Sequence, residues 1–210
     1  MSKSPVEVAR RGEDRRARVL NAALEVIAER GLSETRMSDI AERAGMSAGH
    51  VLYYFRTKDL VLMEALRRVE ERMHDEAAGE LATFPPGPRR LRRLFDLNVP
   101  DGPADPGWTL WLEAWTLAPH DEAIRSLIAE LETRWIALLA DVVRSGVVAG
   151  AFRCRDEAAA VRRLYAAMNG LSVQVVTGAT GIDRASAVEE LEGFAASELG
   201  PGRRRAPRSR

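Results

Sequence analysis

Between Thr35 and Leu60 the chain reads TRMSDIAERAGMSAGHVLYYFRTKDL, and this stretch limits the fold more than any other. Ile40, Ala41 and Ala44 give a short helix one apolar face. Gly45 interrupts the pattern, where glycine takes a positive φ at no steric cost. Ser47 then stands where a hydroxyl caps a new helix, and Val51, Leu52 and Phe55 resume helical spacing. A small residue at 41, a glycine four later and an apolar residue at 51 let two helices cross closely at a steep angle, the arrangement of a helix-turn-helix.

GMSAGHVLYYFRTKDL resembles the end of the DNA-binding domain of TetR-family (tetracycline-repressor-like) transcriptional regulators. Gly45, Ser47, Gly49, Tyr54, Phe55, Thr57 and Lys58 match that pattern, as do Asp39, Ile40 and Ala41 upstream. Leu52 departs from it, because the family carries Tyr there, and Tyr53 follows as a substitute phosphate contact. Arg36 stands where the family often has Thr, with Thr35 one residue early. The resemblance is strong from about Arg15 to Leu66, and beyond that only the pattern of helices matches.

The rest of the chain reads as helices throughout. Leu20, Ala23, Leu24 and Ile27 mark a first helix from Asp14 to Gly31. Leu62, Leu66, Val69 and Met73 mark a fourth that PPGP at 85–88 stops. Pro88 opens a fifth, and Trp108, Trp111 and Trp115 lie along a sixth that Pro119 ends. The seventh runs over about 121–148, the eighth over about 156–177 and the ninth over about 184–199. No strand or repeat is visible. The expected fold is all-α, about nine helices. A mobile arm at 1–13 precedes an N-terminal three-helix helix-turn-helix DNA-binding domain at 14–60. A larger C-terminal helical ligand-binding and dimerisation domain follows at 61–200, then a disordered basic tail at 201–210.

Charge alone does not demand a nucleic-acid partner. The formal net charge is zero, and residues 1–60 carry 11 Lys and Arg against 9 Asp and Glu. Residues 101–200 carry 8 against 15, an acidic excess that with tryptophan faces suits an organic cation. No run of about 18 apolar residues and no apolar leader is present, so a cytoplasmic protein without a membrane span is expected.

Candidate sites follow from chemistry. Ala48, Gly49 and His50 form the first turn of the reading helix, where small residues let it sit deep and His50 meets base edges. Tyr53, Tyr54, Thr57 and Lys58 are the expected phosphate contacts, with Ser47, Thr35 and Arg36 beside them. Trp108, Trp111, Trp115 and Trp135, with Asn169 and Gln174, are candidates to line a small-molecule site; ordinary core packing is the alternative for each. The eighth helix carries Val161, Tyr165, Met168, Leu171, Ser172 and Val175, and the ninth Val188, Leu191 and Ala195, read as a two-fold dimer interface.

Gly45–Gly49 also satisfies the G-x-S-x-G pattern of hydrolases, but a helix enters where that elbow needs a strand. His50, His74 and His120 have no ligand spacing, and Cys154 stands alone between two arginines in a connector. No catalytic residue, metal or cofactor is expected. The resemblance implies a ligand-responsive homodimeric repressor of palindromic operator DNA, with the fourth and sixth helices coupling effector to reading head. The alternative is a helical ligand-binding protein or enzyme keeping only the shape of the helix-turn-helix.

Overall fold

In the computed structural model residues 5–201 are described, with side chains from position 12 onward. They form α1 (Pro5–Glu34), α2 (Met37–Arg43), α3 (Ala48–Tyr54), α4 (Lys58–Ala82), α5 (Pro88–Asn98), α6 (Pro106–Leu117), α7 (Glu122–Val148), α8 (Glu157–Thr177) and α9 (Arg184–Leu199). Among the described residues the only β pairing is an isolated bridge between Phe152 and Pro201.

Helix starts follow the side chains that can satisfy orphan amides. Ser47, Asp105, Asp156 and Asp183 each accept a backbone N–H three residues on, capping α3, α6, α8 and α9. Pro88 and Pro106 occupy first turns, where their missing N–H costs nothing.

One expectation about the ends needs correction. α1 begins at Pro5, so positions 5–13, expected as a mobile arm, are helical. That stretch lacks an apolar stripe but holds Glu and Arg, good helix formers, and periodicity cannot detect a helix that has no buried face. Residues 1–4 and the basic tail at 202–210 lie outside the described residues.

The chain divides into two compact units. One holds the chain through Glu71 together with Ala104–Ala129; the other holds Arg72–Pro103 and the chain from Glu130 onward. α6 therefore belongs with α1 in the first unit, on which it packs, and not with the C-terminal helices. The first unit buries Leu20, Ala23 and Ile27 of α1, Ile40 of α2, Val51 of α3, Leu62 and Leu66 of α4, and Leu110 of α6. The second builds its core from Leu91, Leu94 and Phe95 of α5, Leu139 and Val142 of α7, and the inner faces of α8 and α9.

Candidate DNA-binding and effector sites

The reading head is held on α1 by ionic contacts. Arg43 of α2 reaches Glu25 at 3.0 Å and Glu29 at 2.7 Å, and those bonds push its guanidinium pKa further up. Arg18 Nη2 donates to the Ala44 carbonyl at 2.6 Å, satisfying the end of α2, and Gly45 turns the chain at φ 62°. Arg16 holds Glu64 of α4 through two bonds of 2.8 and 2.7 Å, and its guanidinium lies 4.7 Å from the centre of the buried Phe55 ring.

On this frame Ser47, Ala48, Gly49 and His50 are all exposed at the start of α3. Tyr53 is 82% exposed, while Tyr54 is half-buried and stacks on His50 with ring centroids 6.3 Å apart. Thr57 is exposed and its Oγ1 caps the Leu60 amide at 3.2 Å. Arg36 is exposed, its backbone N–H held by Asp39 at 3.0 Å. Two further residues share this surface, Leu52, 47% exposed, and Arg56. Leu52 lies four residues after Ala48, so helical spacing already set it on the reading face.

Two expected DNA contacts point elsewhere. Thr35 is buried, and its hydroxyl donates to the Gly31 carbonyl at 2.7 Å. Lys58 Nζ donates to the carbonyls of Leu32 at 2.9 Å and Ser33 at 3.3 Å rather than facing out. Both carbonyls lie in the last turn of α1, beyond the kink at Gly31 (φ 77°), where helical carbonyls run short of amide partners; the Leu32 carbonyl shares Lys58 with the Thr35 amide at 3.2 Å.

The tryptophans do not form one set. Trp108, Trp111 and Trp115 of α6 lie in the first unit, and Trp135, Asn169 and Gln174 in the second. Trp115 contacts Trp111 with ring centroids 5.6 Å apart and Trp108 at 6.0 Å. The Trp111 indole N–H donates to Glu70 Oε1 of α4 at 2.6 Å, and Glu70 is only 4% exposed. A buried carboxylate thus sits beside a three-tryptophan cluster. Sequence reasoning passed over Glu70, although it falls four residues after Leu66, inside the apolar stripe of its helix.

In the second unit Trp135 is buried and meets His74 edge-on at 5.7 Å. Gln174 Oε1 accepts from Thr180 at 3.1 Å, which ties it into the turn after α8. Asn169 is half-buried.

The residues expected at a dimer interface are mostly core of a single protomer. Val161, Met168, Ser172, Val175, Val188, Leu191 and Ala195 are all buried within one chain. Only Tyr165 and Leu171 stay partly accessible. An apolar stripe does not say which neighbour buries it, and α8 and α9 bury theirs on each other and on α5. The accessible face of the pair instead carries Ala166, Gly170, Gly193 and Phe194.

Among the described residues no group of three or more His, Cys, Asp or Glu could hold a metal, and no helix is long and apolar enough to cross a membrane.

Residues 19–65 match the tetR family of bacterial regulatory proteins, and residues 88–200 match the C-terminal part of BetI-type transcriptional repressors. The regulator BetI of Burkholderia thailandensis is 35% identical over 117 residues, 55% of this chain and 60% of that protein. The chain therefore spans about three fifths of the length of that relative. BetI 1 of Chromohalobacter salexigens is 30% identical over 174 residues, covering 80% of this chain and 82% of its own. A Saccharomonospora viridis protein described as a transcriptional regulator, and solved in complex with choline, superposes with a TM-score of 0.83. It is 33% identical to this chain and covers 91% of it and 100% of its own length. A TetR regulator from Haloarcula marismortui shares the fold at a TM-score of 0.79 and 24% identity, over 89% of this chain and 99% of that one. The chain belongs to the tetR family of bacterial regulatory proteins, with a C-terminal part of the BetI type.

Proposed function

We propose that this chain is a transcriptional repressor that reads operator DNA with α3 as a homodimer and releases it on binding a small quaternary ammonium compound. The observation that carries the effector class is Glu70, a carboxylate buried against the Trp111 indole within the Trp108–Trp111–Trp115 cluster. A quaternary ammonium head has no N–H to donate, so its recognition relies on aromatic faces and a nearby anion. The choline complex of the related Saccharomonospora viridis protein supports the same class and makes choline the first compound to test.

Exposure of Ala48, Gly49 and His50 supports base reading, and that of Tyr53, Thr57 and Arg56 supports phosphate contact. The open face of α8 and α9 supports pairing, because a Cβ added at Gly170 or Gly193 would meet nothing within 4 Å, leaving room for a second chain's helices. Two heads so related would read successive major grooves about 34–36 Å apart. DNA selected from a random pool by the ligand-free protein, then titrated by anisotropy with and without choline, tests the proposal. Release on choline supports it; selection of no sequence above the starting pool favours a ligand carrier that keeps only the helix-turn-helix shape.

A further inference from the structure

The kink inside α1 at Gly31, one turn before the helix ends, is gripped from two sides. Gly31, at φ 77° and ψ 162°, takes the Leu32 amide out of the helical ladder. That amide donates to Glu113 Oε1 of α6 at 2.8 Å, while the Leu32 carbonyl accepts from Lys58 Nζ of α4 at 2.9 Å. The carboxylate lies so close that a Cβ on Gly31 would stand 3.2 Å from it. Leu32 itself is buried, so its backbone cannot shift without moving core. The same two helices, α4 and α6, are joined again through Glu70 and Trp111.

We infer that Glu113 is the positioning residue that carries effector occupancy from α6 to the DNA-reading head, through the Leu32 amide. The inference rests on the reading that a quaternary cation binds at the Trp and Glu70 cluster. A cation settling there competes with the Trp111 N–H for the Glu70 carboxylate and shifts α6 against α4. Glu113, two residues along a rigid helix from Trp111, moves with it and pulls the amide that fixes the kink of α1. α2 starts five residues after Leu32, so the kink sets the tilt of α2 and, through their packing, of α3.

The test compares wild type, Glu113→Ala and Glu113→Gln by the ratio of operator Kd with and without choline. A uniform loss of DNA affinity leaves that ratio unmoved, which separates relay from simple support. Coupling of this kind commonly amounts to about 5- to 150-fold. In Glu113→Ala the ratio should fall to within about twofold, while tryptophan fluorescence still reports choline binding; Glu113→Gln, which keeps an acceptor oxygen, should recover most of it. A full choline response in Glu113→Ala overturns the inference alone. Wild type that binds no choline overturns the effector reading, and the relay with it. Amide exchange of wild type gives a check that needs no variant: choline should change protection at Leu32, and unchanged protection there overturns the relay.

Discussion

Glu70→Gln separates recognition of a cation from maintenance of the fold. Glutamine keeps an oxygen for the Trp111 N–H, now 2.6 Å from the carboxylate, and removes only the charge. A cation about 5 Å from the carboxylate, at an effective dielectric of about 20, is attracted by about 3 kcal/mol, or about 200-fold in affinity. The tryptophan faces keep their own share, about 0.5–2 kcal/mol. The variant should therefore bind choline about 30- to 200-fold more weakly without losing all affinity. Stability should change little. Turning a charge-assisted bond into a neutral one loses about 1 kcal/mol. Relief from burying a charge offsets that loss. Tm should stay within about 4 °C of wild type. Titration of tryptophan fluorescence gives the affinity and a thermal melt the stability. An unchanged choline Kd would refute the role given to Glu70; a collapse of Tm with no folded protein would assign the carboxylate to structure.

His50→Ala should change base preference in selection experiments while leaving the salt dependence of binding in place; an unchanged consensus would remove His50 from readout. Lys58→Ala should lower stability by about 1–2 kcal/mol, because it removes a charged donor from the Leu32 and Ser33 carbonyls, although the Leu32 carbonyl keeps the Thr35 amide at 3.2 Å. Its salt slope should shift by clearly less than the unit expected of a lost phosphate contact, and a full unit would restore Lys58 to the DNA surface. Gly146→Ala would place a Cβ 2.2 Å from the Phe152 ring and should destabilise by about 1–3 kcal/mol, read in a denaturant titration. Arg16 holds the Glu64 carboxyl below its ordinary range, so their pairing stabilises above the unfolded carboxyl pKa of about 4.3 and is lost as pH falls through the lower folded value. The stability gap between wild type and Glu64→Gln should thus be full above about pH 5.5 and close in stronger acid.

Most of the fold was legible because its signals are local. Caps at Ser47, Asp105, Asp156 and Asp183 and prolines at 88 and 106 mark helix starts, and the structure places α7, α8 and α9 within a residue or two of the expected ranges. What was not legible depends on which surfaces meet. The stripe from Val161 to Val175 reads equally as dimer seam or protomer core, and burial assigns most of it to the core. Trp135 shares a residue type with the α6 tryptophans but not a unit. Lys58 stands at a position that the family resemblance gives to phosphate, yet the Leu32 and Ser33 carbonyls in the last turn of α1 claim it. Glu113 carries no sequence signal, because its partner is a backbone amide released by the kink at Gly31.

Under the proposed function, one buried, tryptophan-flanked carboxylate makes DNA binding sensitive to a quaternary cation. The most direct test of this reading is the anisotropy of a labelled, selected operator titrated with protein at fixed choline concentrations. Operator Kd should rise with choline and level off once the effector site is saturated, while sodium chloride at the same ionic strength produces no plateau. A Kd that follows ionic strength alone, identical for choline and sodium, would contradict the account.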